Sequence, residues 1–420
     1  MPSQHGIVVP LFSLHTQGRS GTFLDLIPLI DWCASVGLNV IQLLPLNDTG
    51  GDPSPYYCVS SCALDPKYLP QPLEDLFLQF KRSPHTTFQA PWLEAYARFK
   101  AEKDPRFPPE FHKYLQGLCF DQMKQVRAHA TRKNVCLLGD IPILVSPDSA
   151  DVHSSPHLFD LTLEAGAPPD QYNAEGQHWG FPLFRWDAIE AEHYAWWIQR
   201  MQTAAQCYHA CRIDHVVGYF RIWGVPPGKL PLEGHFVPEE ENTWEKLGRE
   251  RLREIVRATN MIPIAEDLGT VPEWVAGVLK ELGICSTKVF FWQPPGAYYE
   301  PLSLTTVSTP DSEPLGLLWE KYPDLVRPYA EWKGWSYEPE LKAWQRKELL
   351  RDAHHTTSMW HVNLLQETLA LFPELVNDEN ERINVPGTVL PTNWTYKFKP
   401  SVEELVAHEG LRRAFAEIIG

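Results

Sequence analysis

The stretch VCLLGDIPILV, residues 135–145, is almost continuously apolar and is interrupted by a single acid, Asp140. A strand with one wet face would alternate apolar and polar residues. The lack of alternation here marks a strand covered on both faces, as in a parallel sheet flanked by helices. The same signature recurs on either side. Before it come GIVVPL (6–11) and NVIQLLPL (39–46); after it come CRIDHVV (211–217), MIPIAED (261–267), STKVFFW (286–292), LSLTTVST (302–309) and SMWHVNLL (358–365). Apolar residues at helical spacing occupy the intervals at 22–36, 190–208, 240–258 and 272–282, with TVPE (270–273) in the form of a helix start. Eight strand–helix alternations predict a (β/α)8 TIM barrel rather than a doubly wound sheet.

The spacing is uneven. About ninety residues separate the second run from the third, far beyond an ordinary loop. Their helical periodicity and proline breaks predict a helical subdomain, residues 47–110, inserted after the second strand of one catalytic barrel domain spanning 1–420. Residues 110–131 then serve as the barrel helix before the third strand.

Composition narrows the function. A net charge of −16 lacks the basic face that nucleic acid or an anionic membrane requires. No apolar run approaches the roughly 20 residues of a membrane span. The opening MPSQHG has no leader-like pattern, so a cytoplasmic protein with reduced, buried cysteines is expected. Two C-x3-C pairs, Cys58/Cys62 and Cys207/Cys211, depart from the tighter steps usual for zinc, and no metal or cofactor is expected. Sixteen tryptophans and fifteen tyrosines are mostly core, but they also supply flat faces on which sugar rings stack.

A barrel carries its active site at the carboxyl ends of its strands. The acids there are Asp140, Asp214, Glu266, Asp267 and Asp311. Each alone is as well explained by an ion pair or a helix cap; several on one rim repel one another and need a compensating function. Glycosidic bond cleavage supplies one, because it needs one protonated and one ionised carboxyl group. Arg212, two residues before Asp214, points to the same strand face and can hold Asp214 ionised while a neighbouring acid keeps its proton. His215 faces the other way, as a wall or core residue, and the pair His354-His355 is read as lying on a solvated helix.

Six segments together carry a family resemblance. They are SPYY (54–57), GDIPILVSPDSADV (139–152), APPDQYNAEGQHWGFPLFRWD (167–187), RIDH (212–215), IAEDLG (264–269) and RINVPGTVLPTNW (382–394). In this order the chain resembles the 4-α-glucanotransferases of the amylomaltase (disproportionating enzyme) family, in the wider α-amylase clan. The resemblance implies a glycosyltransferase of glycogen and starch metabolism that works on maltooligosaccharides and other α-1,4-glucans. It implies a retaining mechanism without metal or cofactor. A monomer or weak homo-oligomer is expected. Asp214 matches the nucleophile, Glu266 the general acid/base and Asp311 the third carboxylate, which grips sugar hydroxyls. Arg212, Tyr56, Trp179, Asp267, Asn393 and Trp394 match substrate-binding positions.

Two departures stand against this background. Thr309-Pro310-Asp311 replaces the family's Thr-His-Asp, so a hydrogen bond to the sugar is lost; one such contact is worth a few kcal/mol, or roughly two to three powers of ten in rate. The segment after the second strand is shorter than the family norm, with Asp65-Pro66-Lys67 where Asn-Pro is usual. The competing readings are an α-glucan hydrolase with the same carboxylates and a glucan-binding homologue disabled by Pro310.

Overall fold

The computed structural model describes residues 3–16, 18–169, 175–378 and 381–420. Part of the 167–187 motif, residues 170–174, therefore lies outside the described residues. Eight parallel strands form one sheet: β1 (Gln4–Val8), β2 (Val40–Gln42), β3 (Cys136–Ile141), β4 (Ala210–Ile213), β5 (Ile262–Ala265), β6 (Ser286–Val289), β7 (Ser303–Thr306) and β8 (Trp360–Leu364). Their order is β5-β4-β3-β2-β1-β8-β7-β6. Neighbours thus follow the chain, and the first strand lies beside the last in parallel register from Gln4↔Trp360 to Val8↔Leu364. This is the circular order of a (β/α)8 barrel.

All eight apolar runs overlap a strand, β1 and β4 beginning before theirs at Gln4 and Ala210, and each strand is shorter than its run. β4 ends at Ile213, and the apolar residues beyond it form a buried 3-10 turn, Val216–Tyr219. Hydrophobicity continues wherever the chain stays buried, whatever its backbone conformation. Helices fall at Leu26–Ser35, Ala195–Ala204, Trp244–Arg257 and Trp274–Glu281, inside the four predicted intervals. Thr270 does not cap the last of these; Glu273 stands at the cap position without a side-chain bond.

Contacts divide the chain into two compact units. One comprises Met1–Leu44, Ala128–Leu138 and Gly283–Gly420; the other comprises Pro45–Arg127 and Gly139–Leu282. The first unit has an apolar core around Val307, Leu315, Trp319, Val326, Leu349 and Ile418. It also buries an ion pair, Arg346–Glu367 at 3.2 Å, with both side chains almost fully enclosed. His354 corrects the sequence reading. It ends the helix Ala343–His354 but is only 3% exposed, because its Nδ1 meets Nδ1 of His5 at 3.1 Å and its Nε2 meets Asn363 Nδ2 at 3.0 Å.

In the second unit, residues 47–110 carry a 3-10 turn at Pro66–Tyr68 and helices at Leu73–Arg82 and Leu93–Lys103. Phe77 packs edge-on to both Phe107 and Phe111 at ring separations of 5.1 and 5.0 Å. This unit also holds an antiparallel sheet absent from the sequence reading, in the order His235–Val237, Ile222–Val225, Phe159–Ala167, Gln177–Phe184. Its strands include half-exposed positions and a register shift between Asp160 and Gly166. They lack the unbroken apolar run that identified the barrel strands.

Candidate active site

Arg212 lies on β4, and the turn begins at Asp214, so the two residues share one face at the strand's carboxyl end. The guanidinium meets three carboxylates. Its Nη1 lies 2.9 Å from Asp140 Oδ1 and 3.0 Å from Asp214 Oδ1, and its Nη2 lies 3.8 Å from Glu266 Oε2. Burial works against the arginine's charge. The carboxylates of Asp140, Asp214 and Glu266 outweigh it and raise its pKa well above the ordinary value.

Asp140 is the next-to-last residue of β3, at the carboxyl end as the sequence suggested, and is fully enclosed. Burial pushes its carboxyl up to about 6, and the nearby charge of Asp214 adds to this; Arg212 and the Tyr56 hydroxyl, which donates to Oδ2 at 2.8 Å, oppose it. Tyr56, read from the sequence as bordering substrate, directs its hydroxyl to this acid. Gly139 makes the close packing possible, because a Cβ there would stand 2.3 Å from the Tyr208 ring.

Asp214 uses its second oxygen to accept the Ile143 N–H at 3.2 Å, so its carboxylate is held at both ends. Glu266 follows β5 directly. Its N–H donates to Ile213 O at 2.9 Å, and its Oε2 accepts the His215 N–H at 2.7 Å. That last bond depends on an unusual backbone: His215 has φ of 41°, a left-handed conformation uncommon for a non-glycine residue. Gly218 leaves space for it, since a Cβ at 218 would come within 2.9 Å of the imidazole. The imidazole is held neutral, its pKa lowered to about 4 chiefly by burial, and the Trp179 ring meets it edge-on at 4.9 Å. Asp267 is half-buried beside Glu266.

The first unit contains the remaining predicted residues. Asp311 lies five positions beyond the end of β7, in a turn. Asn384 Nδ2 donates to its Oδ1 at 2.6 Å, Arg382 Nη2 donates to its carbonyl at 2.7 Å, and the Asn384 N–H donates to Pro310 O at 3.1 Å. Glu367 secures both ends of this loop, accepting the Ser308 hydroxyl at 2.5 Å and the Leu315 N–H at 3.1 Å. Trp394, at φ 62°, donates its N–H to Ile383 O at 2.7 Å. The buried Asn393 side chain donates to Thr388 O at 3.0 Å and accepts the Val385 N–H at 3.2 Å, so these amide bonds fasten its own loop.

The sequence puts Asp140 on the active-site rim but gives it no role, and it singles out neither Asn384 nor Glu367. Asn384 at least stands in a segment already singled out; LLQETL around Glu367 carries no signal. The cysteines are free thiols, and burial raises both Cys58 and Cys62 to about 12. Among the described residues, no group of three or more His, Cys, Asp or Glu is arranged to hold a metal.

Residues 9–104 and 80–403 match the family model described as 4-alpha-glucanotransferase. The 4-alpha-glucanotransferase of Chlamydia muridarum is 37% identical, over 99% of this chain and 95% of that protein. That alignment spans 503 positions against the 420 residues here, so the relative has segments without a counterpart. The amylomaltase of Streptococcus agalactiae, solved in complex with acarbose, superimposes with a TM-score of 0.80 at 20% identity, covering 99% of this chain and 98% of that one. The amylomaltase of Corynebacterium glutamicum gives the same TM-score at 21% identity, covering 99% and 75%.

Proposed function

The chain belongs to the 4-α-glucanotransferase family, and on that premise we propose that it moves α-1,4-glucan segments between maltooligosaccharides through a covalent glucosyl–aspartate. Asp214 attacks the anomeric carbon while Glu266 gives its proton to the departing glycosidic oxygen. Glu266 then takes a proton from the incoming sugar hydroxyl, which displaces Asp214 and restores the original configuration. The observation that carries this reading is the single guanidinium of Arg212 facing Asp214, Glu266 and Asp140.

That cation sits 3.0 Å from the nucleophile's carboxylate, and Asp140 with Tyr56 fixes the cation in place. Asp311 is the third carboxylate of the proposal, gripping hydroxyls of the sugar ring; Asn384 supports this role by orienting its Oδ1. Trp179 and Trp394 are proposed to flank the glucan.

Maltotriose tests the reaction. Transfer yields glucose together with longer chains, whereas hydrolysis yields only shorter ones, and a chain that only binds glucan yields neither. Asp214→Asn and Glu266→Gln should each lower turnover by about 10³-fold or more without altering the circular dichroism spectrum. Near-normal turnover in either variant would remove that residue from the mechanism.

Pro310 favours a second reading, a glucan-binding protein of very low activity, because proline offers no side-chain donor. Maltodextrin binding without any product would select it.

A further inference from the structure

We propose that a cavity of about 270 Å³ in the first unit is a second, non-catalytic α-glucan-binding site. It is lined by the loop running from Phe290 to Tyr299, by Leu325, Tyr329 and Trp332 of the helix Pro323–Trp332, and by residues 352–357. None of the carboxylates proposed for catalysis lines it. The inference rests on the reading that the protein acts on α-glucans, which specifies the ligand.

The lining is amphipathic in the way a sugar ring is. Trp332, at the helix end, is 55% exposed, so part of its flat indole surface stays open to a ligand. Gly296 passes against the indole, where a Cβ would lie 3.6 Å from Nε1. Pro294 and Pro295 stiffen this loop, so little freedom remains to be lost on binding. Two of the polar residues in the lining supply direction. Gln293 offers an amide. Asp352 receives the Tyr329 hydroxyl at 2.8 Å and Lys333 Nζ at 2.9 Å, both on Oδ2, leaving Oδ1 without a hydrogen bond among the described residues.

Charge selects among ligand classes. Lys333 is shared between Asp352 and Glu348, so the cavity has no surplus cation there for a phosphate or sulfate, and Asp352 opposes any anion. A neutral ligand with flat C–H faces and many hydroxyl donors satisfies both the indole and the carboxylate. A glucan chain presents that unit repeatedly, and a second anchoring point would raise the effective concentration of a long chain at the enzyme.

The test uses the full-length protein, with glycogen as the probe in native gel retardation and maltotriose turnover measured in parallel. Trp332→Ala and Gln293→Ala should each weaken retardation, the first by roughly fivefold or more, and raise KM for glycogen at unchanged kcat. Maltotriose turnover should stay within about twofold of the parent. Retardation unchanged in both variants overturns the proposal. So does a parallel loss of maltotriose turnover in both, which would show that the cavity merely supports the fold. A self-association abolished by Trp332→Ala with glycogen binding intact would identify the cavity as a contact between copies, and would likewise overturn it. A parent protein that leaves maltotriose untouched yet is retarded by glycogen through Trp332 would sink the transferase reading and leave this one standing.

Discussion

Arg212 carries more of the site's electrostatics than any carboxylate, because Asp140 is wholly buried beside it and Asp214 and Glu266 are mostly so. Removing one partner of a buried ion pair leaves an uncompensated charge and costs about 3–5 kcal/mol. Arg212→Met should therefore lower the unfolding free energy by about that amount in denaturant titrations, and adding Asp140→Asn should recover part of it. Additive losses would mean that the two side chains do not depend on each other. A second prediction concerns Pro310. Asn384 bonds to its backbone carbonyl, so Pro310→His keeps that contact and adds a side-chain donor. Turnover of maltotriose should rise by roughly two powers of ten; an unchanged rate would show that position 310 does not reach the reaction. Asn384→Ala should lower kcat while leaving the melting temperature close to the parent value, because the bond it breaks orients Asp311 rather than a core element.

At the scale of elements, the question is how a loop beyond a strand end holds a carboxylate still. The segment from Ser308 to Leu315 is bonded at both ends to Glu367, whose charge is balanced by the buried Arg346. Glu367→Gln would keep the shape but leave that arginine uncompensated. Its expected cost is about 3–5 kcal/mol of stability, together with a loss of activity, measurable by chemical denaturation alongside turnover. Charge reversal nearby would not rescue it, since the pair is enclosed. β3 offers the complementary case, in which sterics rather than charge set the limit. The Tyr208 ring occupies the space a side chain at Gly139 would need, so strand and ring approach closely only with glycine there.

The whole molecule meets pH through histidines that bring the two ends of the barrel sequence together. His5 on β1 and His361 on β8 are register partners with rings stacked 5.1 Å apart, and His354 closes against His5. Burial lowers all three pKa values, that of His5 to about 4 and that of His354 well below the usual value; mutual repulsion of the imidazoles adds to the shifts of His5 and His354. Above the ordinary histidine value of 6.5 both folded and unfolded chains hold these rings neutral, and the stability they contribute is fully present. As pH falls from 6.5 towards 4 the unfolded chain takes up protons that the folded one refuses. Unfolding free energy should therefore decline over that window, by up to about 1.4 kcal/mol per pH unit for each histidine. His354→Gln should flatten the decline; a slope identical to the parent's would exclude His354 as a contributor.

Residues near one another in sequence announced themselves. The period of two along β4 places Arg212 and Asp214 together, and unbroken apolar runs reveal strands covered on both faces, because backbone geometry alone sets those spacings. Eight such runs suffice for the fold class. The antiparallel sheet escaped because half-exposed, irregular strands leave no such record. So did the burial of His354, since a helix end shows no sign of what it meets. Partnerships such as Tyr56 with Asp140, 84 positions apart, or Asn384 with Asp311, 73 apart, belong to the tertiary structure. Hydrogen bonds between distant segments depend on which surfaces packing brings together, and packing leaves no local period by which the partners could be recognised.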